Sequence, residues 1–249
     1  MKHFEQWHSE RLHEHVSLVR WGNFGAPVLI FPTAGGDAEE IERVHLIKSL
    51  EPLLNAGKIK VYSCDSVAGR AMMAKEGSPQ HRAWLMNEFH GFVYHEVVPA
   101  IRLDCQSPDI EIMVAGASIG AYNALAMLCR HPDAFSTALC LSGTYDLEKF
   151  LDGATGDDLY FSSPVHFIPN LEGDPLTAAQ RRFVIFACGQ GEWEDIGESW
   201  KAAHVLGSKG IPNRVDPWGP EWDHNWTTWR KMVPQYLEEL TRDRTEVGE

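Results

Sequence analysis

A serine framed by glycines, Gly116-Ala117-Ser118-Ile119-Gly120, follows the apolar run 112–115 and precedes a segment packed with small residues. A G-x-S-x-G turn between a strand and a helix forces its serine into a tight, strained backbone and presents the hydroxyl above the sheet edge. The amide of Ile119 then opens the helix, aimed where negative charge would develop during attack on a carbonyl. This is a nucleophile's position. A chance match is the competing reading, since glycine and serine are common. The strand before and the helix after supply the context the motif demands.

A serine hydroxyl attacks only when a base takes its proton. Of the twelve histidines, His224 is placed best, in the loop Trp218-Gly-Pro-Glu-Trp-Asp-His224 between the last strand and the last helix. Reactive groups in an open α/β sheet gather at the carboxyl ends of strands. The other histidines fall on helices, at the terminus or in plain connections, and His131 reads as the end of the helix that Ser118 begins. A base of this kind needs a carboxylate on its second ring nitrogen, in the chain order Ser, acid, His. The loop Gly189-Gln-Gly-Glu-Trp-Glu-Asp195 offers Glu192, Glu194 and Asp195. Glu194 is favoured, because Asp195 suits the N-cap of the following helix and Glu192 comes earlier in the loop. Glu192 stands second, and Asp146, after a different strand, is a further alternative. In the loop Phe31-Pro-Thr-Ala-Gly-Gly-Asp37 a backbone amide at Thr33 or Ala34 is expected to join Ile119 as an oxyanion donor. A phosphate-cradling loop reads poorly there, since neither G-x-x-x-x-G-K-[ST] nor G-x-G-x-x-G occurs. Trp193 and Trp222 flank the acid and base candidates and are read as walls of a substrate pocket, with core packing as the alternative. Trp226, Trp229 and Val233 fall at helical spacing and read as core.

These loops need a frame. Short apolar runs alternate with helical segments, which predicts an α/β fold with a mostly parallel sheet covered on both faces. Strands are expected at 15–21 (antiparallel, at the edge), 27–31, 59–63, 111–117, 135–142, 182–188 and 213–216. Helices are expected from the loop after Asp37 to about Asn55, and over 80–103, 119–130, 196–209 and 226–240. Residues 66–79 read as irregular, 144–180 as a loop-rich insertion over the strand ends, and 241–249 as a frayed tail. The whole chain, 1–249, reads as one domain.

Composition sets the bounds. Apolar residues make up 44% of 249, enough for a sizeable core, and the net charge of −13 argues against nucleic acid or an anionic membrane as partner. No apolar stretch approaches the ~20 residues that span a bilayer, and the start lacks a signal peptide's apolar segment. Cys64, Cys105, Cys129, Cys140 and Cys188 are an odd number without metal-site spacing. They read as buried free thiols of a reducing compartment, hence a soluble cytoplasmic protein. No ligand set for a metal appears and no cofactor is expected. The oligomeric state stays open, a homodimer included.

With these loops in place the chain resembles the esterase branch of the α/β-hydrolases and is similar to S-formylglutathione hydrolases, feruloyl esterases and mycolyltransferases. The resemblance rests on Pro27 to Gly36, Ala115 to Tyr122, Leu141 to Asp146 and Asp223 to Trp229. It implies an α/β-hydrolase fold with Ser118 as nucleophile and His224 as base. Two segments depart from the family pattern. A His-Gly-Gly oxyanion segment is here Pro32-Thr-Ala-Gly-Gly36, and a Gly-x-x-Asp acid is here Gly189-Gln-Gly-Glu-Trp-Glu-Asp195. The expectation is a serine esterase acting on a small carboxylic ester or thioester through an acyl-enzyme. The alternatives are an acyltransferase using the same residues, or a non-catalytic scaffold that binds a ligand or protein.

Overall fold

The computed structural model describes residues 1–152 and 156–242. Residues 153–155 of the 144–180 stretch, and 243–249 of the tail expected to fray, lie outside the described residues. The strands are β1 (Lys2–Ser9), β2 (Glu14–Trp21), β3 (Ala26–Phe31), β4 (Ile59–Cys64), β5 (Ile112–Ala117), β6 (Phe135–Leu141), β7 (Phe183–Cys188) and β8 (Asn213–Pro217). The α-helices are α1 (Glu40–Arg43), α2 (Leu46–Asn55), α3 (Val67–Ala74), α4 (Pro79–Phe92), α5 (Val98–Asp104), α6 (Ile119–Arg130), α7 (Asp157–Ser162), α8 (Pro164–Phe167), α9 (Gly173–Ala179), α10 (Ile196–Ser208) and α11 (Trp226–Arg242).

The strands form one eight-stranded sheet in the order β1-β2-β4-β3-β5-β6-β7-β8. Pairing is antiparallel for β1 with β2 and for β2 with β4, and parallel from β4 through β8. The central strands are continuous apolar runs because helices cover both faces. Their alternate side chains divide between two cores. Leu29, Phe31, Val114, Cys140 and Phe186 point into one, with α3, α4, α5 and α6. Val28, Ile30, Met113, Leu139 and Ile185 point into the other, closed by α2 and by Trp229, Met232, Val233, Tyr236 and Leu237 of α11. That i, i+3, i+4 spacing is the helical stripe read from the sequence.

Three expectations are corrected. β2 is antiparallel but is not the edge strand, because β1 lies outside it. β1, with the sequence KHFEQWHS, is exposed along most of its length and so lacks the alternation that marks a half-buried strand. Residues 66–79 are not irregular throughout, since α3 occupies Val67–Ala74. Its two turns are too short for a clear helical period. The 144–180 stretch carries α7, α8, α9 and single 3₁₀ turns where its composition reads as loop. The long helix expected over 80–103 is present but changes pitch. A π-turn at Val93–Val97 separates α4 from α5 just before Pro99, whose missing N–H would break an α-helical ladder there.

The five cysteines are free; Cys64, Cys129, Cys140 and Cys188 are buried and Cys105 partly so. No helix among the described residues is long and apolar enough to cross a membrane.

Candidate active site

Ser118 sits at the N-cap of α6 with φ 57° and ψ −122°, a region that side-chain-bearing residues avoid and that costs on the order of 1–3 kcal/mol. The fold holds it there. The Ser118 amide donates to the Leu141 carbonyl at 3.0 Å, and its own carbonyl accepts the Ala121 amide at 3.1 Å. The flanking glycines let strand and helix touch. A Cβ on Gly116 would lie 2.3 Å from the Gly120 carbonyl, and one on Gly120 would lie 2.7 Å from the Phe31 carbonyl oxygen. Ile119, the first residue of α6, has an amide with no acceptor inside the helix, at the positive end of the helix dipole.

The carboxylate that reaches His224 belongs to Glu194. His224 Nδ1–H donates to Glu194 Oε2 at 3.3 Å; the Glu194 side chain is wholly buried, while His224 is 25% exposed. The two loops bearing them are joined by backbone bonds: Gly191 N to Trp222 O at 3.0 Å and His224 N to Glu192 O at 3.0 Å. Among the described residues none of the competing acids bonds the His224 ring with its carboxylate. Glu192 supplies its carbonyl to His224, and its amide binds the Asp223 carboxylate. Asp195 caps α10 by accepting the Gly197 amide at 2.9 Å. Asp146 accepts the Glu148 amide at 2.9 Å in a local turn. These three are therefore corrected as candidates for the partner of His224.

Sequence reasoning missed the other groups on Glu194. The Ser142 hydroxyl donates to Oε1 at 2.6 Å, and the Cys188 thiol donates to Oε2 at 3.4 Å. Burial pushes the Cys188 thiol up, and the neighbouring Glu194 carboxylate adds to the shift, so this sulfur stays protonated as a donor. The Trp229 indole N–H in turn donates to Ser142 Oγ at 2.9 Å. The only sequence signal was position: Ser142 directly follows the strand next to β5, and Trp229 lies shortly after His224.

The loop after β3 divides the two expected donors. The Thr33 amide and hydroxyl both donate to Glu40, at 2.8 and 2.5 Å, so Thr33 is corrected as an oxyanion donor. The Ala34 amide makes no hydrogen bond among the described residues. Ala34 lines a cavity of about 350 Å³ together with Ser118, Ile119, Met72, Met73, Lys75, Thr144, Leu147 and Phe150. Trp193 and Trp222 are not among its walls, against expectation. Trp193 is 83% exposed at φ 65°, and Trp222 packs edge-on against Trp218 at 5.1 Å. A loop position next to a reactive residue does not fix which way a side chain faces.

Ser118, Glu194 and His224 thus stand after β5, β7 and β8, at the carboxyl ends of neighbouring strands, with Ser142 closing β6 between them. The arrangement offers a strained serine, an oriented imidazole and two open backbone amides beside a mostly apolar cavity.

The family model Esterase, described as "Putative esterase", matches residues 54–247. Among curated proteins none matches the sequence. Solved structures share the fold. A ferulic acid esterase superposes with a TM-score of 0.74 at 16% identity, over 97% of this chain and 98% of that one. An S-formylglutathione hydrolase from Agrobacterium tumefaciens gives 0.73 at 12% identity, over 97% and 95%. Mycobacterium tuberculosis MPT51 (FbpC1) gives 0.69 at 16% identity, over 96% and 98%. Sheet order, the turn at Ser118 and the matched residues lead to one family: the chain belongs to the esterases of the α/β-hydrolase fold.

Proposed function

We propose that the protein is a serine esterase that cleaves a carboxylic ester or thioester through an acyl-enzyme on Ser118. The observation that carries this reading is the buried Glu194 carboxylate on Nδ1 of His224, at the sheet edge where Ser118 is held in its strained turn. With Nδ1 fixed, Nε2 is the nitrogen free to act as base. His224 takes the Ser118 proton as Oγ bonds to the carbonyl carbon. The amides of Ile119 and Ala34 hold the resulting oxyanion, each worth roughly 3 kcal/mol in the transition state. Collapse breaks the bond to the alcohol or thiol, which leaves with the proton from His224. Water, deprotonated by the same imidazole, then releases the acid and restores Ser118.

A fluorophosphonate probe tests this directly. The wild-type chain is expected to be labelled at Ser118 and the Ser118→Ala variant to be unlabelled, with p-nitrophenyl ester hydrolysis lost in parallel. No serine-dependent labelling, and no hydrolysis across a broad ester panel, would favour the non-catalytic scaffold.

The cavity beside Ser118 supports an apolar substituent on the substrate. Met73 is 68% exposed at its rim, so replacing it should not disturb the core. Met73→Ser is expected to lower kcat/KM for p-nitrophenyl hexanoate about fivefold to tenfold, the range for losing part of a buried apolar contact. p-Nitrophenyl acetate should be hardly affected, and equal effects on the two esters would exclude the cavity as the binding pocket.

A further inference from the structure

Glu194 is gripped from the side away from His224. Its Oε1 accepts the Ser142 hydroxyl at 2.6 Å, and Ser142 Oγ accepts the Trp229 indole N–H at 2.9 Å. The direction of this chain follows from the groups. An indole N–H can only donate, so it uses a lone pair of Ser142 and leaves the single hydroxyl proton for the carboxylate. Ser142 and Trp229 are each 3% exposed. Ser142 also adopts φ 46°, a backbone region sparsely populated by residues with a side chain, while its amide bonds the Ala187 carbonyl at 2.9 Å. The Trp229 ring meets the His224 ring edge-on at 5.0 Å. One indole therefore touches the imidazole through its ring and the carboxylate's support through its N–H.

We propose that Ser142 and Trp229 are positioning residues for the Glu194–His224 pair, an inference that rests on the esterase reading above. A carboxylate anchored at one oxygen cannot swing about its own axis, so the other oxygen stays directed at Nδ1. Without the Ser142 hydroxyl the carboxylate keeps, among the described residues, the weak thiol donor of Cys188 and His224 itself, and the Trp229 N–H is left buried without its partner. Ser142 and Trp229 act through Glu194 and not on the substrate, so the effect falls on kcat.

The test compares Ser142→Ala and Trp229→Phe with wild type, and repeats Ser142→Ala in a Glu194→Ala background. Ser142→Ala is expected to lower kcat on p-nitrophenyl acetate about tenfold to a hundredfold, the range for one hydrogen bond to a charged group, with KM within about twofold. In the Glu194→Ala background the same substitution should lower kcat less than about twofold, because the group it serves is gone. Proton NMR supplies a readout that does not need turnover. The His224 Nδ1–H resonance should move in Ser142→Ala and in Trp229→Phe, while both variants keep the wild-type circular dichroism. An unmoved resonance in folded Ser142→Ala, or equal kcat losses in the two backgrounds, overturns the inference. Absence of wild-type turnover and of Ser118 labelling would overturn the esterase reading instead, with the resonance still deciding whether Ser142 orients the pair.

Discussion

His224→Ala is expected to lower kcat for a short p-nitrophenyl ester roughly a thousandfold or more, with little change in KM. The imidazole is proposed to move a proton in both the acylation and the release step, and no neighbouring group is placed to replace it. The Asp223 carboxylate is held by the Glu192 amide, and the Glu192 carboxylate makes no bond to the His224 ring among the described residues. Glu194→Gln should fall in the same direction by roughly a hundredfold to ten-thousandfold. An amide nitrogen turned toward Nδ1 would meet a donor with a donor and favour the wrong tautomer. Steady-state kinetics on the purified variants, with Ser118→Ala as the floor, check both. Retention of more than a tenth of wild-type kcat by His224→Ala would remove this histidine from the mechanism.

Gly116→Ala is expected to produce a large loss of stability. Its new Cβ would lie 2.3 Å from the Gly120 carbonyl carbon and oxygen. Both belong to the backbone, so no side-chain rotation relieves the contact and α6 must move away from β5. A displacement of that kind costs about 3 kcal/mol, equivalent to a drop of roughly 6–12 °C in Tm for a chain of this size. Ser118 is carried on the displaced turn, so activity should fall with it. Gly207→Ala is the matching control. A Cβ there meets nothing within 4 Å, and Gly207 lies inside α10. Alanine at a helical site without strain should hold stability or raise it by up to about 1 kcal/mol. Calorimetry of the two variants separates the close contact at Gly116 from a general sensitivity to alanine.

The parallel strands were readable because burial on both faces leaves an unbroken apolar run, as in the residues of β3, β5 and β7. β1 was not, because its side chains mostly face solvent and its place in the sheet depends on backbone pairing with β2, which composition does not record. At the site, Asp195 illustrates what local chemistry reveals. A short acid just before a helix caps it, and that assignment left Glu194 for His224. Thr33 illustrates the opposite. Its amide is taken by Glu40, and only the angle at which α1 leaves the loop brings that carboxylate back. Trp229 read as core from its spacing and is core; periodicity identifies the buried face of a helix but not the acceptor that an indole N–H will find there.

Beside Ala34, Ser118 and Ile119, the cavity takes its walls from stretches that bear neither Glu194 nor His224. Met72, Met73 and Lys75 belong to α3 and its end, and Thr144, Leu147 and Phe150 to the segment after β6. Glu194 and His224 instead ride on the loops after β7 and β8, clasped to each other by main-chain bonds. On the proposed esterase reading, selectivity and proton transfer are thus in part separable inheritances. Exchanging the first pair of segments for those of a relative would, on that reading, re-tailor which acyl group is accepted while leaving the Glu194–His224 pair in place.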